Sequence, residues 1–566
     1  MKMTGAKILM ECLLEQQVDT IFGYPGGTIL NVYDELYRYR DKFHHYLTSH
    51  EQGASHAADG YYRATGRTGV CFATSGPGAT NLTTGIATAY YDSSAVVFIT
   101  CNVSANLLGR DAFQEVDITG ISMPITKATY LVDDVNRLAD VVREAFYLAR
   151  SGRPGPVLID IMKNVTAEEA EYTRVELSEH TRTGHLAQLV ARATRKVPAI
   201  GHQDPKLREA AKLLQGAEKP VVMIGGGVIR AGASDKALEL VEKLDAVAVC
   251  TTMGLGAIPG DHPNFVGFAG MHGTKAANVA LSHCDVLLAI GTRFSDRVAL
   301  NPKTFASQAK IIQIDIEHAE INKNVLVDLA LPGDAGQVLG VLLPELEQMD
   351  HSDWRGSIDT LRPAEAPEDA QLTPRRILHI CQRLTGDEAI IVTDVGQHQM
   401  WSAQNFTYRY PGQFISSGGF GTMGFGYGAA MGAKLGCPDK VVLHMTGDGC
   451  FRMNCNELAT AQHYDIPVIT LVFNNGTLGM VRQWQTLLYG GRYSETTLDR
   501  GPDFVKLAEA YGVAGYVART PDDLEIALSE ALASGHAAVI DCRMWIDETV
   551  RPMVPGGAEL TDFILE

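Results

Sequence analysis

Along the chain, short apolar runs rich in β-branched residues alternate with longer stretches of helical composition. The clearest case lies near the C-terminus. Residues 441–446 form one apolar run, 456–464 have helical composition, and 466–473 form a second run. Runs this short and this apolar fit strands buried on both faces of a parallel sheet, with the helix as the crossover between them. A right-handed crossover sets two such strands side by side, about 4.8 Å apart. Asp448 follows the first strand and Asn475 the second. Two oxygen donors are therefore expected on the carboxyl edge, where α/β sheets take ligands.

The same alternation recurs upstream. VCFATSGPGATN (70–81) repeats the plan of VVLHMTGDGCFRMN (441–454), an apolar strand, a threonine and a glycine turn into a helix. Four further strand candidates, PVVMIGG, AVAVCTT, DVLLAIG and KIIQIDI, fall between residues 201 and 345. Polar, aperiodic residues at 166–200 and an acidic, proline-containing stretch at 347–370 read as linkers. A length of 566 residues suits about three domains. The expected fold is α/β, with three doubly wound parallel-sheet domains at 1–165, 190–345 and 370–550 and a C-terminal tail at 551–566.

Composition adds exclusions. With 46% hydrophobic and 20% charged residues the chain is an ordinary globular protein, and its 56 glycines suit many strand-to-helix turns. A net charge of −18 argues against nucleic acid as a partner. Ten cysteines without paired spacing, several inside apolar runs (Cys71, Cys250, Cys284), read as reduced thiols of a cytoplasmic protein. The first helix, 6–17, carries Glu11 and Glu15 and is no signal peptide, and no apolar run is long enough to span a membrane.

A hard cation suits the 448/475 edge. Mg²⁺ prefers octahedral oxygen and keeps substrate phosphates among its ligands. The Asp448 carboxylate, the Asn475 amide oxygen and the Thr477 main-chain carbonyl supply half a coordination sphere, and a diphosphate with a water supplies the rest. Gly447 and Gly449 let the backbone approach the phosphates. G-D-G followed by N-N resembles the thiamine diphosphate-binding motif, and MVRQWQ after N-N-G-T-L-G resembles the catalytic subunit of the acetohydroxyacid synthase (acetolactate synthase) family. The resemblance runs over nearly the whole chain.

The resemblance assigns the first domain to the aminopyrimidine, the second to FAD and the third to the diphosphate and Mg²⁺. Alone, Glu51 reads as a helix cap, and His50, Glu51 and His56 miss the H-E-x-x-H spacing of a zinc helix. SHEQGASHAADGYYRATG, however, resembles the family's catalytic-acid segment, which makes Glu51 the partner of the pyrimidine ring nitrogen. By the same resemblance Gly27 of FGYPGGTIL faces the reacting carbon, and Phe113 and Gln114 of GRDAFQEVDITGIS line the substrate pocket. In SGRPGPVLIDIMKN, Arg153 contacts the flavin nucleotide and Lys163 reaches the active site, although Met162 and Asn164 depart from the family's Pro and Asp.

GGGVIRAG misses G-x-G-x-x-G because Arg230 holds its last position. The segment 270–297 resembles the family's flavin stretch instead. It places His272, Gly273 and Arg293 around FAD, with Asp315 and Asp334 beyond it; Ser295 replaces an acid of R-F-D-D-R. In TDVGQHQMW, Gly396, Gln397 and His398 meet the diphosphate. In SSGGFGTMGFGYGAA, Gly421 and the Met423 backbone hold the pyrimidine, and the Met423 side chain bends the cofactor; on spacing alone Met423 reads equally as core. Met480 and Trp484, four apart on one helical face, read on spacing as a core stripe; by the resemblance they shape the pocket for the second keto acid.

The implied activity is decarboxylation of pyruvate and condensation of the two-carbon fragment with a second pyruvate or with 2-ketobutyrate. The products are 2-acetolactate and 2-aceto-2-hydroxybutyrate, at the first common step of valine, leucine and isoleucine biosynthesis. The reaction is redox-neutral, so FAD is structural. The family also implies a homodimer or homotetramer, with the cofactor's two halves held across a subunit interface, and a small regulatory subunit. The rival readings are a FAD-free catabolic acetolactate synthase, a pyruvate oxidase-like enzyme, and a non-catalytic flavin-binding scaffold.

Overall fold

A computed structural model describes residues 1–175, 201, 204–362 and 370–565. Most of the first expected linker, residues 176–200, lies outside the described residues. The first sheet contains β2 (Thr20–Gly23), β3 (His44–Leu47), β4 (Gly69–Ala73), β5 (Val96–Asn102), β6 (Ala128–Val132) and β7 (Val157–Met162), after an initial short strand β1 (Lys2–Thr4). β1 pairs with β8 (Glu169–Glu171), so the chain beyond residue 165 stays attached to the first unit. The second sheet holds β9 (Pro220–Ile224), β10 (Val247–Cys250), β11 (Phe265–Phe268), β12 (Val286–Ile290), β13 (Lys310–Asp315) and β14 (Leu329–Pro332). The third holds β15 (Ile390–Thr393), β16 (Phe414–Ser416), β17 (Val442–Gly447), β18 (Val468–Asn474), β19 (Ala514–Ala518) and β20 (Ala538–Arg543).

All three six-stranded sheets are parallel throughout. Their orders are β3-β2-β4-β5-β7-β6, β11-β10-β9-β12-β13-β14 and β16-β15-β17-β18-β20-β19. The first and third share one topology, and β4 and β17, the strands of the repeated sequence plan, occupy equivalent positions in it. The continuous apolar runs follow from two-sided burial. Val70, Phe72, Val97 and Ile99 enter one core with Leu9, Leu13 and Phe146, while their neighbours Cys71, Ala73, Val96 and Phe98 enter another with Ala54, Ala57 and Tyr61.

Two expectations are corrected. The crossover between β17 and β18 is not one helix over 456–464 but Asp448–Asn454, a 3₁₀ turn Cys455–Glu457 and Leu458–His463. The stretch 347–370 is not all linker, because Ser352–Asp359 is a helix whose Ile358 enters the core of the second domain with Trp354 against it.

The helices Glu51–Thr65 and Phe425–Gly436 follow equivalent strands, β3 and β16, and pack against each other. Small residues let their backbones touch. A Cβ on Gly60 would stand 2.1 Å from the Ala429 carbonyl oxygen, and one on Gly432 1.9 Å from that of Ala57. Buried Arg63 closes the seam, donating to Asp59 (2.7 Å), to Asp92 (3.1 Å) and to the Ser416 carbonyl, and Asp92 also accepts from the Gly419 amide. The loop entering the second helix is thereby held by the first domain. Gly432→Ala is expected to destabilise the protein by about 1–3 kcal/mol through overpacking. Gly356→Ala, inside the helix Ser352–Asp359 with no atom within 4 Å of the added Cβ, should leave stability unchanged or slightly raised. Denaturant melts of both variants check this, and equal stabilities would refute the close crossing.

Candidate active site

The third sheet changes winding direction between β15 and β17, and the crevice at their carboxyl ends is where doubly wound sheets take ligands. Its floor is polar and buried. Asp394 accepts from Thr446 (2.7 Å), His444 (3.1 Å) and the Gly426 amide (2.9 Å). Burial alone would raise its pKa, but the His444 hydrogen bond and its companions hold it down at about 2. His398 lies beside it, kept neutral by burial, which lowers its pKa to about 4. Its Nε2 is buried with no partner among the described residues. A Cβ on Gly447 would come within 3.0 Å of His398 Nδ1, so this approach needs glycine.

β17 and β18 pair in register from Val442↔Val468 to Gly447↔Phe473, which brings the residues after them to one edge. Asp448 is buried, and its carboxylate accepts the Gly449 amide (3.0 Å) but forms no ion pair among the described residues. Burial pushes its pKa up to about 6 from an ordinary 3.8. Ionising it therefore lowers the stability of the cation-free fold as pH rises from about 4 through 6, and a bound cation offsets that cost.

Asn475 is oriented by a chain of amides. Gln397 donates its Nε2 hydrogens to Gln483 Oε1 (2.9 Å) and the Glu548 carbonyl (2.7 Å), so its Oε1 must accept, and it accepts from Asn475 Nδ2 (3.3 Å). Gln483 is fixed in turn by Val550, accepting from its amide (3.0 Å) and donating to its carbonyl (3.1 Å). Asn475 Oδ1 is left as the free end of the chain. Nearby, Thr477 donates its hydroxyl to the Thr496 carbonyl (2.7 Å), and its main-chain oxygen takes no part in that pairing. The donor set is a desolvated carboxylate, an oriented amide oxygen and a main-chain carbonyl, beside an unpartnered imidazole nitrogen. It fits a hard cation carrying a diphosphate. The Gln397 side chain is engaged in orienting Asn475, which leaves its main-chain amide, in the first turn of the helix Gln397–Asn405, as the group that could meet a diphosphate.

The first domain presents the other edge. Glu51 opens its helix behind a cap in which His50 Nδ1 accepts the Gln52 amide (3.0 Å). The carboxylate is buried, accepts from Asn81 Nδ2 (2.9 Å) and lies against Gly78, where a Cβ would approach it to 3.0 Å. Glu457 of the third domain accepts the Ser49 and His50 amides (both 3.0 Å) and so fixes the approach to that helix. Gln114, at φ +62°, rests on Gly76 of the same glycine turn. Gly27 faces open space, with nothing within 4 Å of where a Cβ would stand, and Phe113 is 87% exposed. Lys163 sits half-buried at the carboxyl end of β7.

A cavity of about 900 Å³ opens between the domains. Arg153, His272, Arg293, Asp315 and Asp334 line one end, and Gly396, Gly421, Met480 and Trp484 the other. Gly273 is not in its wall; its Cα packs on the backbone of 268–270. Met423 reaches instead toward Gly449, its methyl carbon 3.9 Å from where a Cβ there would sit. Arg153 is braced by Ser93 (2.8 Å) and Glu320 (2.9 Å), and Asp334 caps the helix Ala335–Leu342 through the Gln337 amide (3.0 Å). Asp315 has its pKa pushed to about 6 by burial. His272 Nδ1 and Arg230 Nε are buried on this wall without partners. The size and the waiting polar atoms fit a dinucleotide such as FAD. Gly27, Glu51, Phe113, Gln114 and Lys163 do not line this cavity.

Sequence reasoning missed Asn81, Gln483, Glu457 and the role of Arg230. Of these only Gln483 carried a signal, its place in MVRQWQ.

Three family descriptions match the chain: "Thiamine pyrophosphate enzyme, N-terminal TPP binding domain" at residues 3–121, "central domain" at 207–342 and "C-terminal TPP binding domain" at 394–542. Among curated relatives, the probable acetolactate synthase large subunit of Methanocaldococcus jannaschii is 46% identical across 99% of this chain and 95% of its own length. The acetolactate synthase isozyme 2 large subunit of Escherichia coli is 43% identical across 99% of both chains. The acetolactate synthase large subunit of Haemophilus influenzae is 40% identical across 100% of this chain and 98% of its own. With three matching domains in order and relatives aligned from end to end, the chain belongs to the acetolactate synthase large-subunit family of thiamine diphosphate enzymes.

Proposed function

We propose that this chain joins two 2-keto acids, taking pyruvate as donor and pyruvate or 2-ketobutyrate as acceptor. The observation that carries the reading is the pair of strand tips, Asp448 and Asn475, with the Gln397–Gln483 chain turning the Asn475 oxygen outward. Asp448, Asn475 and the Thr477 carbonyl would hold Mg²⁺, and Gly396, the Gln397 main-chain amide, His398, Gly447 and Gly449 would receive the diphosphate. Thiamine diphosphate supplies the acidic carbon and the electron sink that decarboxylation needs. Glu51 holds a proton on the pyrimidine ring nitrogen. Gly421 and the Met423 backbone would position that ring, and the Met423 side chain, directed toward Gly449, would support the cofactor between its two halves.

Gly27, Phe113, Gln114 and Lys163 enclose the substrates from the Glu51 side, and Met480 and Trp484 from the other. Because the Glu51 edge stands apart from the cavity within one chain, a second copy completes the site, which supports a homodimer or homotetramer. Relatives named as large subunits support a smaller regulatory companion. FAD occupies the 900 Å³ cavity, with Arg153, His272, Arg293, Asp315 and Asp334 around it, and exchanges no electrons in a redox-neutral reaction. The ten unpaired cysteines support a reducing compartment such as the cytoplasm, and no helix among the described residues is long and apolar enough to cross a membrane.

Pyruvate incubated with the protein, thiamine diphosphate and Mg²⁺ is expected to yield acetoin on acidification and no peroxide; peroxide without acetoin would favour an oxidase. Glu51→Gln should lower kcat by about 10²–10⁴-fold while thiamine diphosphate still binds, as calorimetry would register. A near-normal rate would refute the proton role. Trp484→Leu should keep acetolactate formation but cut the preference for 2-ketobutyrate by about tenfold, the scale of one methylene in an apolar pocket. Competition between the two acceptors measures this, and an unchanged product ratio would refute it.

A further inference from the structure

The loop 104–117 carries Phe113 and Gln114, and it is held at its two ends. The Ala105 amide donates to Asn164 Oδ1 (2.9 Å), and the Val116 carbonyl accepts from Asn102 Nδ2 (3.2 Å). Asn102 closes β5, and its carboxamide is used on every side. Its Oδ1 accepts the Val103 amide (2.8 Å), and its Nδ2 also donates to Asp160 Oδ2 (2.7 Å). Asp160 lies on β7, opposite Thr100, and its other oxygen accepts the Thr100 hydroxyl (2.7 Å). The same strand tip holds the Gly27 segment, because Thr28 donates to the Cys101 carbonyl (2.6 Å) and accepts the Ser75 amide (3.1 Å). Loop 104–117, the Gly27 segment and the glycine turn whose Gly78 lies against Glu51 therefore converge on the end of β5.

Asp160 is 1% exposed and has no cationic partner among the described residues. Such a carboxylate is costly to bury, and two short hydrogen bonds only partly offset the cost. Burial pushes its pKa up to about 6 despite them, and Asp117 pushes in the same direction. What the carboxylate does provide is orientation. It can only accept, so the Asn102 amide must turn Nδ2 toward it, which leaves the second N–H for Val116 and Oδ1 for Val103.

We infer that Asp160 is a positioning residue of the reaction: through Asn102 it anchors loop 104–117 and so sets Phe113 and Gln114 against the Glu51 edge. The inference rests on reading those two residues as the substrate-side wall. Asp160→Leu removes the acceptor, so one Asn102 N–H is left buried without a partner and the amide is no longer held with Nδ2 toward Val116. The reciprocal pair Asn102→Asp/Asp160→Asn restores a donor and an acceptor between the two positions but leaves nothing to donate to Val116.

Hydrogen exchange of the amides in 104–117, steady-state kinetics and thermal midpoints of both variants, each with thiamine diphosphate and Mg²⁺, test this. In Asp160→Leu, exchange in the loop should quicken by about tenfold and KM for pyruvate rise by about tenfold, with kcat within about threefold of wild type. In the double variant the midpoint should return toward wild type while exchange and KM stay raised. Loop exchange at the wild-type rate in Asp160→Leu, or exchange and KM recovering with the midpoint in the double variant, would overturn the anchor. Faster exchange with unchanged KM would uphold the anchor and overturn the substrate role of Phe113 and Gln114. If Asp160→Leu does not fold, the double variant decides alone, wild-type loop exchange contradicting the proposal and fast exchange supporting it.

Discussion

A carboxylate buried without a counter-charge governs this structure. Asp448 is held at the end of β17 by the in-register pairing of β17 with β18, and no side chain neutralises it. The neighbouring strand brings Asn475 beside it, and a run of amides through Gln397 and Gln483 to the Val550 backbone decides which end of Asn475 faces outward. Everything around this edge either builds it or leaves it open. The β17–β18 connection puts glycines on both sides of Asp448, and the apolar strands below it, buried on both faces, give the edge a rigid base. An ionised Asp448 at this edge costs free energy, and the proposed cation would offset that cost.

The doubled topology explains how the second half of the chemistry is supplied. The same strand order serves in the first domain to present Glu51, the proposed acid, and in the third to present Asp448 and Asn475, the proposed metal ligands. The helices that follow equivalent strands meet through glycine and alanine, and buried Arg63 joins the first domain to the loop that leads to Gly421 and Met423. The middle domain adds a cavity whose far end reaches the residues after β15 and the Met480–Trp484 face. Coupling between the three units is thus built from close backbone contacts and buried polar groups, both of which tolerate little displacement.

Much of this was legible in the sequence because local pattern and local chemistry coincide there. β17 and β18 announce themselves by apolar runs, the first ending at Gly447 and the second at Asn474, and Asp448 and Asn475 follow them. The four central strands read from their pattern are β9, β10, β12 and β13, whereas β11 and β14 at the sheet edges were missed. Phe265–Phe268 and Leu329–Pro332 are four residues each, too short to show a period, and pairing rather than propensity makes them strands. The helix at Ser352–Asp359 was hidden by acidic neighbours; one buried face, at Trp354 and Ile358, suffices to hold it. The least legible features join residues far apart in the chain, such as Gln397 with Gln483 or Glu457 with the start of the Glu51 helix. No spacing rule reports such pairs, because the sheet, not the local chain, brings them together.

The most direct test of the central claim is the Mg²⁺ dependence of thiamine diphosphate binding in Asp448→Ala, compared with the unaltered protein by calorimetric titration. The account predicts that Mg²⁺ strengthens binding to the unaltered protein by at least about tenfold, roughly 1.4 kcal/mol, and that the gain vanishes in the variant. An equal gain in both proteins would show that the cation sits elsewhere and would contradict the account.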